Sequence, residues 1–140
     1  MGQTKGHWIL QKFFLLLFIS TIIAGCSVRA RKFEKFYASD PTRVTHLVIQ
    51  KGDSGEMRKV TDQKEIDAFF DLLYSLSYIM EKSQTPRDGY LYWVEIYEND
   101  ANILLLTLTQ DTARINNVYY LLDKDIKGEL DELFRAGGPF

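Results

Sequence analysis

Two residue types are scarce enough in this 140-residue chain for their positions to carry information: one cysteine, Cys26, and two histidines, His7 and His46. His7 falls in the leader-like first 25 residues, which leaves His46 as the histidine of the remaining chain. A histidine base needs a nucleophile, and Ser54 and Ser83 are the conceivable partners. Neither serine sits in a nucleophile-elbow sequence, and a lone histidine in a predicted strand is more often structural. Zinc is disfavoured, because paired His or Cys ligands do not occur. Asp53-Ser54-Gly55-Glu56 and Glu98-Asn99-Asp100-Ala101-Asn102 offer oxygens without the twelve-residue calcium-loop register, so both read as turns. No glycine-rich phosphate loop is present. The expectation is no metal and no cofactor. Glycosidase chemistry requires two carboxyl groups at a set separation. Asp88, Glu95, Glu98 and Asp111 are candidates for such an acid pair, but spacing selects no two of them.

Cys26 has a more specific setting. Lys5 and Lys12 precede the apolar run Phe13 to Ile23, and residues 1–25 contain no acid. The run is shorter than the roughly 20 apolar residues of a spanning helix, and it has the length of a signal-peptide core. It ends in Ile23-Ala24-Gly25-Cys26, whose small pair lets the backbone lie extended in a protease cleft. This quartet resembles the bacterial lipobox, with Ile23 where leucine is usual. The resemblance implies cleavage before Cys26, thioether linkage of that cysteine to diacylglycerol, and display on the extracytoplasmic face of the cell membrane. Two acyl chains anchor stably where one does not, at about 0.8 kcal/mol per buried CH₂. N-myristoylation fits poorly, since Gly6 stands where Ser or Thr is expected. An intramolecular disulfide is excluded by the cysteine count.

The implied organisation is a signal peptide over 1–25, a lipidated basic tether over 26–43, a small domain over 44–136 and a frayed tail over 137–140. In the tether, Arg29, Arg31, Lys32 and Lys35 alternate with Phe33, Phe36 and Tyr37. Such a segment could touch anionic headgroups at up to about 1 kcal/mol per base. It could equally be a solvated spacer, or first turns packed on the domain. The charge is uneven along the chain: residues 44–140 hold ten bases and seventeen acids, a net of about −7. A nucleic-acid binder needs the opposite sign, so no nucleic-acid partner is expected.

The elements behind the tether follow from periodicity and breakers. Thr45–Gln50 and Met57–Thr61 flank the turn cluster Lys51 to Gly55 and predict a hairpin. Asp62, with Glu65 three residues on, has capping-box spacing. Ile66, Phe69, Phe70, Leu73 and Leu76 then recur at helical intervals. Tyr78–Lys82 reads as a short strand closed by Thr85-Pro86-Arg87-Asp88-Gly89. Tyr90–Glu98 and Ile103–Thr109 read as paired strands, and Asn116-Asn117 suits a tight hairpin between Ala113–Ile115 and Val118–Leu122. Asp123 or Asp125 can cap a last helix carrying Ile126, Leu130, Leu133 and Phe134. Short links imply antiparallel pairing. The fold class is therefore α+β: an antiparallel sheet of about five to six strands, one main helix packed on one face, and a short C-terminal helix.

Alternation in the central strand puts Tyr90, Tyr92, Val94 and Ile96 on one face and Leu91, Trp93, Glu95 and Tyr97 on the other. Leu91, Trp93 and Tyr97, with Tyr119 or Tyr120 opposite, are the candidate binding surface for an envelope protein, peptide or glycan. The leader and layout resemble small lipoproteins of Gram-positive bacteria, a likeness that implies a location and no site residue. The leading functional expectation is a membrane-anchored binding module. The alternatives are a small envelope hydrolase or transferase using His46 or an acid pair, and a sensor or inhibitor of a neighbouring membrane protein.

Overall fold

Alternating apolar residues give each strand one buried face, and the strands share it. In the computed structural model, which describes residues 29–136, β1 (His46–Lys51) buries Leu47 and Ile49, and β2 (Met57–Val60) buries Val60. β4 (Tyr92–Glu98) buries Tyr92, Val94 and Ile96. β5 (Ala101–Leu108) buries Leu104, Leu106 and Leu108. Ala113 and Ile115 of β6 (Thr112–Ile115), Tyr120 and Leu122 of β7 (Val118–Leu122), and Tyr78 of β3 (Tyr78–Met80) complete the inner face. The signal peptide expected over 1–25, Cys26 and the tail expected over 137–140 lie outside the described residues.

The strands form one antiparallel sheet in the order β2-β1-β4-β5-β6-β7-β3. There are seven, because both arms of the Asn116-Asn117 hairpin and the short β3 all pair. Asn116 and Asn117 adopt φ of 47° and 68°, the left-handed pair a tight hairpin requires. Asn99 takes φ 54° in the turn between β4 and β5, which is only two residues long, so β5 starts at Ala101.

Two helices cover the inner face. α1 (Gln63–Ser75) starts at Asp62, whose carboxylate accepts from the amides of Lys64 at 2.9 Å and Glu65 at 3.1 Å. Its face of Ile66, Phe69, Phe70 and Leu73 is buried. In α2 (Lys127–Ala136), Leu130 and Phe134 are buried. Phe134 packs on Phe69 at 5.6 Å and on Tyr92 at 4.8 Å, which joins both helices and the sheet in one core. Of the two expected caps, Asp125 accepts from the Lys127 amide, whereas Asp123 accepts from the Ser77 amide.

The packed body begins earlier than the boundary expected at 44. Arg31 bridges to Tyr78, Phe33 is fully buried, and two 3-10 turns follow at Phe33–Lys35 and Pro41–Arg43. Phe33 meets Phe70, Tyr74 and Tyr78 at 5.5–6.0 Å. Of the three roles open to this stretch, first turns packed on the domain describes residues 31–43, and the aromatic spacing is what buries them.

The sheet order dictates where the connections run. α1 carries the chain from β2 at one edge to β3 at the other, across the inner face. The return from β3 to β4 must pass β7, β6 and β5. It does so over the outer face, as residues 81–91, and this crossover builds the site.

Candidate functional site

A row of four side chains crosses the outer face in register: Trp93 on β4 opposes Thr107 on β5, Thr107 opposes Arg114 on β6, and Arg114 opposes Tyr119 on β7. At the usual strand spacing of about 4.8 Å the row is roughly 14 Å long. The crossover roofs both ends. The amide of Arg87 donates to the Tyr119 hydroxyl at 3.1 Å and its guanidinium lies 4.9 Å from the ring centre. At the other end Tyr90 meets Trp93 edge-on at 6.1 Å and 76°. Between them is a cleft of about 400 Å³, to which Asp88, Thr109, Asp111 and Thr112 also contribute.

Several local features hold the roof in place. Glu81 pairs with Arg87, and the Gln84 side chain bonds both backbone groups of Tyr119. Gly52 in the β1–β2 turn donates to Leu91 O at 2.8 Å. A Cβ on Gly52 would lie 1.7 Å from the Tyr90 carbonyl oxygen, so only glycine permits this approach.

Electrostatically, the floor is uneven. Arg114 is half-buried, lies 5.4 Å from the Tyr119 ring centre and donates to the neutral amide oxygen of Asn117 at 2.7 Å. Its Nε is buried without a hydrogen-bond acceptor among the described residues. No ion pair of the described residues includes it. Arg87, by contrast, has Glu81. Hydroxyls of Thr109 and Thr112 are engaged in the β5–β6 turn, Thr109 with Thr112 O at 3.2 Å and Thr112 with Asp111 at 3.3 Å.

The five residues expected to form a binding surface separate. Trp93, 36% exposed, and Tyr119 line the cleft. Tyr119 is nearly buried, by the crossover rather than by a helix. Tyr97 is on the same face but beyond the cleft, stacked on His46 at 4.5 Å with its hydroxyl on Glu95 at 2.6 Å. Tyr120 is corrected: it points into the core against Phe36 at 5.0 Å, because consecutive strand residues face opposite sides. Tyr90 and Leu91 precede β4, so its alternation does not extend to them. Leu91 packs on the core cluster instead of the outer face, and Tyr90, expected on the face of Tyr92, lines the outer cleft beside Trp93. Arg87, Thr107 and Arg114 were missed. The Arg114–Tyr119 pairing follows from a two-residue hairpin at Asn116-Asn117, which was a usable signal.

His46 has other company than a nucleophile. Its Nδ1 is 3.1 Å from the Thr45 hydroxyl, which lies within 3.3 Å of two carbonyl oxygens. Burial, then the charge of Lys59, holds its pKa below the usual value, with Asp100 opposing. Ser54 donates to Glu56 and Ser83 pairs with Thr85. Of the four acids, Glu95 accepts from Tyr97 and Glu98 from Tyr37 and Arg43. Asp88 and Asp111 both line the cleft. Among the described residues there is no cluster of metal-binding side chains and no helix long and apolar enough to cross a membrane.

No protein-family model, curated protein or solved structure matches the chain. The cleft is therefore read on its own geometry. A larger hollow of about 670 Å³ beside α2 is less selective, since Lys51 meets Asp53 and Lys127 meets Asp131 across or near it.

Proposed function

We propose that this protein is a lipid-anchored extracytoplasmic binding module whose ligand occupies the cleft between the crossover and the outer sheet face. The cleft carries the reading. It is a concave site in which the polar and charged side chains of Arg87, Asp88, Thr107, Asp111 and Arg114 face the aromatic residues Tyr90, Trp93 and Tyr119. This lining is more polar than that of the usual apolar ligand pocket and is suited to a hydroxylated or charged ligand. The lipobox-like quartet at Cys26 supports the location, and the acidic balance of 44–140 speaks against nucleic acid.

Two experiments test the two halves. Replacing Cys26→Ser should abolish lipid labelling in intact cells; continued labelling would sink the anchor. The chain has two tryptophans, Trp8 and Trp93, and Trp8 leaves with the signal peptide, so a Trp8→Phe variant reports emission from the cleft alone whether or not the leader has been cut away. Titrating that full chain in micelles with a soluble digest of envelope glycan and peptide should change the Trp93 emission saturably. An unchanged spectrum overturns the binding reading.

Asp88 and Asp111 at one cleft favour a second reading, hydrolysis of the bound ligand by an acid pair. Asp111→Asn should then stop product release from the digest while Trp93 still reports binding. Release at the unaltered rate removes this reading.

A further inference from the structure

We infer that the ligand is a carboxylate-bearing sugar, its carboxylate held by Arg114 and one ring face laid on Trp93. The inference deepens the proposed binding function and rests on it. A guanidinium stays charged at any pH a cell reaches, and a half-buried charge normally has a counter-charge. Arg114 has only the amide oxygen of Asn117 and the face of Tyr119, while its Nε has no acceptor. The neighbouring arginine of the cleft, Arg87, is already matched by Glu81. The unmet positive charge is therefore localised at one point of the row, and an anionic oxygen is the group that would complete it.

The rest of the lining narrows the ligand further. No aliphatic side chain lines the cleft, so it has no pocket for an apolar substituent. Of its three aromatic residues, Tyr119 already has Arg87 and Arg114 over its ring, and Tyr90 is paired edge-on with Trp93. Trp93 stands two strands away from Arg114, or about 10 Å at the backbone. That interval suits a single six-membered ring bearing a carboxylate, with Thr107 beneath it. The carboxylates of Asp88 and Asp111 repel any anion in the cleft, and hydrogen bonds they accept from ligand hydroxyls offset that repulsion for a sugar acid but not for a bare anion. A sugar acid supplies the anion, the flat face and the hydroxyl donors together; acetate supplies only the first, and a neutral sugar only the last two.

The test uses the full chain carrying Trp8→Phe in micelles, with Trp93 emission titrated by D-glucuronate, D-glucose and acetate. Glucuronate should bind saturably, and D-glucose and acetate each about ten-fold or more weakly, as expected for loss of a charge-assisted hydrogen bond or of the stacked ring. Arg114→Gln should weaken glucuronate by a similar factor and leave the D-glucose response where it was. If that variant fails to fold, Thr107→Val serves in its place, and should weaken glucuronate without altering the circular dichroism. Equal binding of glucuronate and D-glucose, or an unaffected Arg114→Gln, overturns the carboxylate assignment. A response to the envelope digest without one to glucuronate overturns the ligand class and leaves the binding reading standing. Silence to both removes the two together.

Discussion

The side-chain amide of Gln84 bonds both backbone groups of Tyr119: the Tyr119 amide donates to Oε1 at 2.8 Å, and Nε2 donates to the Tyr119 carbonyl at 3.1 Å. β3 ends at Met80; the Glu81 amide still donates to the Tyr119 carbonyl at 3.0 Å, and the glutamine adds a second donor there and supplies the acceptor for the Tyr119 amide. The crossover is thus stitched to the sheet at the point where it turns over the outer face. Gln84→Ala leaves the amide of buried Tyr119 without its acceptor, while the carbonyl keeps the Glu81 amide, and should cost about 1–3 kcal/mol in denaturant unfolding. Amide exchange at Tyr119 should accelerate with it. An exchange rate equal to that of the parent would show that the roof is held by other contacts.

Phe33 is fully buried among Phe70, Tyr74 and Tyr78. Phe33→Ala should therefore destabilise the fold by about 3–5 kcal/mol, the range for a deleted core phenylalanine. A loss under about 0.5 kcal/mol, the scale of a surface change, would mean that residues 31–43 are a spacer after all.

Gly52 approaches Tyr90 too closely for any Cβ. Gly52→Ala should cost about 1–3 kcal/mol, as overpacking does. It should also move the Trp93 emission, because displacing Tyr90 shifts the ring set edge-on to the indole. A stable variant with unaltered emission would contradict the contact.

Alkaline pH should weaken this fold. Burial, then the hydrogen bond to Asp131, raises Tyr92 from 10.0 to about 12, and burial raises Tyr37 and Tyr78 further still. Unfolded tyrosines ionise first, so the unfolded chain binds fewer protons above pH 10 and stability falls as pH rises. For Tyr92 the loss runs through the window from 10 to about 12. Tyr92→Phe should flatten part of that slope in denaturant titrations run across the window. Asp131 works in the acid direction: hydrogen bonds from Lys127 and Tyr92 hold its pKa below 3.8, opposed by partial burial. Its contribution is present above the ordinary value and is lost as pH falls. An alkaline slope identical in Tyr92→Phe would refute the Tyr92 assignment.

Local rules were enough for much of this architecture. Alternation sorted Tyr92, Val94 and Ile96 from Trp93, Glu95 and Tyr97, because successive strand residues point to opposite faces whatever the strand pairs with. Asp62 ended one irregular segment and began α1 because its carboxylate reaches amides two and three residues on, and Asn116-Asn117 made its turn from backbone tolerance alone. Each of these is decided within a few residues, so the amino-acid order contains it. The order of the strands is not of this kind. That β3 pairs with β7 and β4 with β1 depends on which arrangement of all the apolar faces closes one core, and no residue between 81 and 91 records it. From that order came the path of the crossover, the burial of Tyr119 on a face without a helix, and the meeting of Arg87, Trp93 and Arg114. The same non-local packing drew Phe33 out of a predicted tether and turned Tyr120 inward. Sequence determined which side chains each element could offer to either face. Tertiary structure decided which of them met, because a cleft is made by pairings between strands that are distant in the chain.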